Sequence, residues 1–219
     1  MIMTTQQPFI ITISRELGSG GRTIGRKLAA QLGVHYSDKQ LIKGLQEKFH
    51  LTVSGIERLK GEKKNWINDF FQLVAPAPNV DMFIEPDSPY IREFRPDVTT
   101  DDVHDAEVEI IKGIAEEGSC VIAGRSAFFV LKDYPNKVDI FITASKEHRI
   151  ERVMKKQELT REQAVEVIER VDKLRENYIQ RYTGRSRYDL RNYDMVLNVD
   201  DLTEEDAVNL ILKYVKKSH

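Results

Sequence analysis

Between an apolar run, Phe9-Ile10-Ile11-Thr12-Ile13, and a helix-patterned one stands the stretch SRELGSGGRTIG, Ser14 to Gly25. Its four glycines let successive backbone N–H groups converge on one point, and a helix starting directly afterwards adds the positive end of its dipole. Such a loop is suited to an anion, above all phosphate. Gly18, Ser19, Gly20, Gly21, Arg22 and Thr23 form the nest, with Arg15 and Arg22 as cations within a few residues of it. A strict phosphate loop follows G-x-x-x-x-G-K-[ST]. Glu16 to Thr23 reads E-L-G-S-G-G-R-T, so the first glycine and the phosphate-binding lysine are both missing.

The elements that must position this loop alternate in type. Phe9 to Ser14 is β-branched and short, and Thr23 to Leu32 carries Ile24, Leu28 and Leu32 at helical spacing before Gly33. His104 to Glu117 is a helix by its Val108, Ile111 and Ile114, and Ser119 to Ala123 and Val138 to Thr143 read as buried strands. Ser145 caps a helix reaching about Lys156, a long helix spans Thr160 to Tyr182, Tyr193 to Asn198 is the last core strand, and Thr203 to Val215 a closing amphipathic helix. Strands separated by helices predict a mostly parallel sheet covered on both faces. The 219 residues then form a single domain with two interruptions. Residues 39–103 hold five prolines, a lone Trp66 and no clean core strand, and read as an insertion that shapes a substrate site. Residues 155–191 are dense in arginine and lysine. On the long helix Arg170, Lys173, Asn177 and Arg181 share one stripe beside an apolar stripe of Val167, Val171, Leu174 and Tyr178.

Composition narrows the partners. A formal charge of -2 gives no global field for nucleic acid or a membrane surface, so any anion site must be local. Cys120 is the only cysteine, which excludes an internal disulfide and fits a reducing, cytoplasmic setting. The apolar run near the start is too short for a signal h-region or a membrane span. The five histidines lack metal spacing with one another or with Cys120, and no Ser/His/Asp ordering emerges. The group this chain repeats is guanidinium.

ISRELGSGGRTIGRKLAAQLG, HYSDKQLI, VIAGRSA, VDIFITASKEHRIERV, RVDKLRENYIQRYTG and NYDMVLNVDDL together resemble the cytidylate kinase-like family of P-loop proteins. The resemblance spans most of the chain outside the proline-rich insertion. It implies an α/β, three-layer P-loop kinase fold: a five-stranded parallel sheet with helices on both faces, an acceptor-binding insertion (39–103) and a helical lid (155–191). It implies ATP and Mg2+, a nucleoside monophosphate or other small phosphorylated acceptor, Thr23 as the metal-bound hydroxyl, Asp38 and Arg125 on the acceptor, and Arg170, Asp172 and Arg175 as the lid's R-x-D-x-x-R. Gly124-Arg125 also lies beyond a strand's carboxyl end, where open α/β sheets bind ligands.

The chain departs from the family pattern at several points. Laid on it without a gap, Gly21 falls on the lysine and Arg15 or Arg22 must reach the phosphates from another root; with one residue inserted, Arg22 takes the lysine's place. Lys39 and Gln40 follow Asp38 where Ser or Thr and Gly are the pattern, and Ser126 replaces an aspartate after Arg125. Three readings therefore stand. The first is a phosphotransferase, in which Arg15, Arg22, Arg170 and Arg175 serve the reaction. The second is a nucleotide-binding regulatory protein with weak or no catalysis. The third is an interaction module that assembles through Trp66, Phe70, Phe71 and Phe83, including as a homo-oligomer. Turnover with a panel of monophosphates separates the first, and stabilisation by ATP alone separates the second from the third.

Overall fold

The computed structural model describes residues 6–37 and 100–216. Five parallel strands lie in the order β2-β3-β1-β4-β5: β1 (Ile10–Arg15), β2 (His35–Ser37), β3 (Cys120–Ala123), β4 (Lys137–Thr143) and β5 (Met195–Asn198). β1 is the central strand, with Ile13 opposite Ala123 on one side and Ile140 on the other. Ile10, Ile11, Thr12 and Ile13 are all buried because both faces of the sheet are covered, which is why the strand reads as a continuous apolar run.

The helices are α1 (Gly21–Leu32), α2 (Thr100–Glu116), the single-turn α3 (Ala127–Val130), α4 (Lys146–Gln157), α5 (Arg161–Thr183) and α6 (Glu204–Lys216). Ile11 and Ile13 point to one face and join Ile24 and Leu28 of α1 and Val208, Ile211 and Val215 of α6. Ile10 points to the other, where Val103, Ala106 and Ile111 of α2 meet Ile122 and Leu131. A third cluster fastens α4 to α5 through Ile150, Val153, Val167 and Ile168, and Leu17 of the glycine-rich loop packs on it. The loop is thus tied to the arginine-rich region by apolar contact.

Some boundaries differ from the sequence reading. α2 begins at Thr100 instead of His104, because Asp101 and Asp102, which look loop-like, suit the positive end of a helix. The last four residues of the 39–103 stretch therefore belong to a core helix; residues 39–99, with Trp66 and the phenylalanines, lie outside the described residues. α1 begins at Gly21, two residues before Thr23. Thr160 caps α5 in a capping box with Gln163, as its residue type leads one to expect. The chain lays β2 and β3 on one side of β1 and β4 and β5 on the other, so the connections diverge at the carboxyl end of β1 and open a crevice there.

Candidate active site

The glycine-rich loop runs from the end of β1 to Gly20, the N-cap of α1, whose φ of 78° is a left-handed conformation that disfavours side chains. A Cβ at Gly20 would also lie 3.1 Å from the guanidinium carbon of Arg152, which reaches over the loop from α4. Ser19 is buried and its hydroxyl donates to the Glu16 carbonyl at 2.9 Å, closing the loop on itself. At Gly21, the position of the missing lysine in the ungapped register, an added Cβ would lie 2.6 Å from the Arg15 Cβ. Thr23 is on the third residue of α1, its N–H donating to the Gly20 carbonyl at 2.9 Å.

The two arginines of the loop go different ways. Arg15 sends its guanidinium across to the end of β3: a Cβ on Gly124, whose φ is 80°, would fall 1.9 Å from Arg15 Nη1. Arg22 lies on the exposed side of α1, its carbonyl accepting from the Tyr36 hydroxyl at 3.2 Å. Arg22 belongs to a cationic neighbourhood with Arg26, Arg152 and Lys156. Burial, then Arg152 and more weakly Arg26 and Arg22, push the Lys156 ammonium down, against an opposing pull from Glu204. Glu204 also pairs with Arg152 and, at 2.9 Å, with Lys27.

At the carboxyl end of β1 the charge balance is different. Asp172 of α5 is buried, and its carboxylate accepts from the Leu17 N–H at 3.0 Å, from Arg149 Nη1 at 2.6 Å and from Arg175 Nη1 at 3.3 Å, with Arg187 Nη1 at 3.6 Å. One carboxylate thus serves three guanidinia and one loop amide. The Arg15 carbonyl accepts from Arg175 Nη1 at 3.2 Å and also from Arg187 Nη2. Burial and the neighbouring cations Arg15, Arg187 and Arg125 lower the pKa of Arg175 to about 9 against the single favourable pull of Asp172. Arginine stays charged at neutral pH, so the shift reflects burial first and then the other cations gathered around Asp172.

Arg125 closes the group from β3. It and Ser126 have φ of 61° and 57°, an unfavourable conformation for side-chain-bearing residues and the kind of strain that persists at ligand sites. Arg125 Nη1 donates to Glu107 Oε1 at 3.1 Å, and Glu107, from the inner face of α2, is only 1% exposed. Its other oxygen accepts from the Tyr178 hydroxyl, which lies 2.9 Å from His104 Nδ1, while the His104 ring stacks on Tyr182 at 3.7 Å. A buried carboxylate with two partners fixes the direction of Arg125.

Of the residues singled out from sequence, Arg15, Arg125 and Arg175 come together, and Asp172 orders one of them as an ion-pair partner. Arg170 instead donates to Glu166 one turn earlier on the same helix. Asp38 lies outside the described residues. Glu16 accepts from the Thr143 hydroxyl and lies 3.6 Å from Arg149. The structure adds Arg187 and Glu107. Glu107 had a signal, since it sits between Val103 and Ile111 on the buried side of α2. Arg187 had none, because it lies in the irregular segment between α5 and β5. On α5 the buried residues are Ala164, Val167, Ile168, Asp172 and Ile179, so the inward face carries a charge the periodicity did not predict.

The model of the cytidylate kinase-like family matches residues 10–201, which takes in β1, the loop, Arg125 and the whole Asp172 group. The chain belongs to the cytidylate kinase-like family. As a member of it, the chain is 27% identical over 203 residues to the cytidylate kinase of Pyrococcus horikoshii, covering 92% of this chain and 85% of that one. It is 34% identical over 102 residues to the cytidylate kinase of Pyrobaculum neutrophilum, covering 46% and 54%. Among solved structures, an uncharacterised protein from Eubacterium ventriosum superposes with a TM-score of 0.66 at 24% identity, covering 95% of this chain and 98% of that one. Shikimate kinase from Bacteroides thetaiotaomicron gives 0.54 at 15% identity with the same coverages. These likenesses bear on the fold, which is that of P-loop kinases. Among the described residues no helix is long and apolar enough to cross a membrane.

Proposed function

We propose that this cytidylate kinase-like protein transfers the γ-phosphoryl group of ATP to a nucleoside monophosphate, cytidylate-like, or to a related small phosphorylated acceptor. The observation that carries the reading is the meeting, at the carboxyl ends of β1 and β3, of a backbone nest and a group of guanidinia, three of them gathered on the one buried carboxylate of Asp172. In this reading the loop N–H groups and the α1 dipole hold the donor's β-phosphate, and Arg152 lies over Gly20 as a cation for the same triphosphate. Arg15 and Arg125 face the acceptor phosphate. Arg175 spreads positive charge over the group in transit, where phosphoryl transfer is mostly positioning and charge neutralisation. A phosphate oxygen of the acceptor forms the new P–O bond as the β–γ bridge breaks and ADP leaves, so no general base is needed.

The described residues contain no group of three or more His, Cys, Asp or Glu side chains for a metal. In this reading magnesium binds mainly to phosphates and water, with the Thr23 hydroxyl as its protein oxygen. Bound there it would neutralise the β and γ oxygens. Residues 155–191 act as the lid in this proposal, since they deliver Asp172 and Arg175 to the loop, and residues 39–103 with Asp38 supply the acceptor side. ATP consumption, measured with magnesium and each common nucleoside monophosphate, is expected to show turnover, and Gly20→Val, which places a branched side chain at a positive φ against Arg152, is expected to abolish nucleotide binding. Tight ATP binding by the wild type without turnover on any acceptor would replace this reading with that of a nucleotide-binding regulatory protein.

A further inference from the structure

Arg187 is 4% exposed, yet among the described residues no carboxylate pairs with it alone. Nη2 donates to the Arg15 carbonyl, and among the described residues Nη1 makes no hydrogen bond, with Asp172 Oδ1 at 3.6 Å. That aspartate already accepts from Arg149 at 2.6 Å and from Arg175 at 3.3 Å. The guanidinium lies over the rings of Phe141 and Tyr188, with its carbon 5.7 and 5.3 Å from their centroids, which holds its plane in place without supplying negative charge. Its backbone N–H is fixed by Glu176 at 2.9 Å, so the side chain is rooted as well as stacked. A desolvated guanidinium left with an open N–H pair is costly unless an anion completes it. Nearby stand Arg175, which shares Asp172 with it, and Arg15, whose carbonyl both share.

We propose that Arg187 is a phosphate-binding residue, its Nη1 held beside Arg15 and Arg175 to meet an oxygen of a dianionic phosphate group. The inference rests on the phosphotransferase reading only for which phosphate this is, the acceptor's or the one in transit. Removal of the side chain leaves Asp172 with Arg149, Arg175 and the Leu17 N–H, so no buried carboxylate is orphaned and the fold should survive.

The test compares the full-length wild type with Arg187→Met, which keeps much of the stem volume, and Arg187→Lys, which keeps the charge without the fork. Melting is followed with inorganic phosphate against sodium chloride at equal ionic strength, so that screening alone is subtracted. The expected result is a phosphate-specific rise in Tm for the wild type, with apparent affinity weakened about tenfold or more in Arg187→Met, the loss of one charge-assisted contact. Arg187→Lys should fall between the two. An Arg187→Met protein that melts lower but keeps the full phosphate response, or, if that variant does not fold, an Arg187→Lys protein with an unchanged response, overturns the proposal. If the wild type turns over, a raised acceptor KM in the variant assigns the acceptor phosphate and a lowered kcat at unchanged KM assigns the transferred group. Turnover with unchanged variant kinetics and phosphate response refutes the role of Arg187 alone; phosphate binding through Arg187 without any turnover refutes the kinase reading alone.

Discussion

The outer and inner faces of α4 and α5 carry the same residue types with opposite bookkeeping. On the outside three cations meet a carboxylate apiece: Arg161 with Glu147, Arg170 with Glu166, and Lys146 with Glu169. On the inside Arg149 and Arg175, joined by Arg187 from the segment after α5, gather on one buried Asp172, with Glu16 3.6 Å from Arg149. The outer pairs are local and at least partly solvated, and such pairs contribute little. The inner set has three guanidinia for Asp172 and the more distant Glu16, and at Arg187, 4% exposed, burial makes that imbalance expensive beside a phosphate-shaped loop. Arginine density by itself therefore says little about a site. The ratio of guanidinium to carboxylate on a buried face says more.

If that contrast is right, its sharpest break is at Asp172. Asp172→Asn removes the one charge that three guanidinia share while keeping an acceptor for the Leu17 N–H. Loss of one partner from a buried ion pair typically costs about 3–5 kcal/mol, and urea unfolding is expected to show a loss of that order. High phosphate should restore part of it. A loss below about 1 kcal/mol would mean that solvent already screens the inner set and that the two faces do not differ in kind.

Much of the fold was legible because its signals are local. A β-branched run, four glycines and an Ile/Leu stripe place β1, the loop and α1 within two residues of where they lie. Thr160 and Ser145 announce their helices because a hydroxyl at the N-cap is a short-range device. The site was legible only in part, since a charge's partners are set by tertiary packing. Nothing adjacent to Arg15 in the chain indicates that its guanidinium lies against Gly124, and nothing near Arg187 points to the Arg15 carbonyl. Arg170 and Arg175 look equivalent as members of R-x-D-x-x-R, yet one turns to Glu166 and the other inward. Five residues along a helix are about 140° apart, enough to put the pair on different faces.

A smaller effect is expected where an inner guanidinium has a buried carboxylate directly beside it. Arg125 is the guanidinium partner of Glu107, which is buried and otherwise bonded to Tyr178. Arg125→Ala should raise the acceptor KM and also cost stability, about 1–3 kcal/mol for a buried group left short of a partner. The second effect belongs to Glu107, so Arg125→Ala combined with Glu107→Gln should recover much of the stability and none of the KM. A double variant that recovers both would make Arg125 a structural ion pair with no part in binding.

The smallest effect is expected on the outer face, and it decides how the lid is drawn. Arg170 has its carboxylate one turn away on a helix, an arrangement that contributes about 0.2–0.5 kcal/mol. Arg170→Ala should therefore leave the urea midpoint nearly unchanged and lower kcat far less than Arg175→Ala does. The comparison uses kcat at saturating ATP and acceptor, where contacts made only in the transition state are read. Arg175 already faces the loop and needs no rearrangement to act. Arg170 would have to leave Glu166 and swing toward the crevice, which requires the nucleotide-bound form to break a surface pair it can break cheaply. Equal losses of kcat in the two variants would show that it does so, and the outer face of α5 would then be part of the site in the closed state.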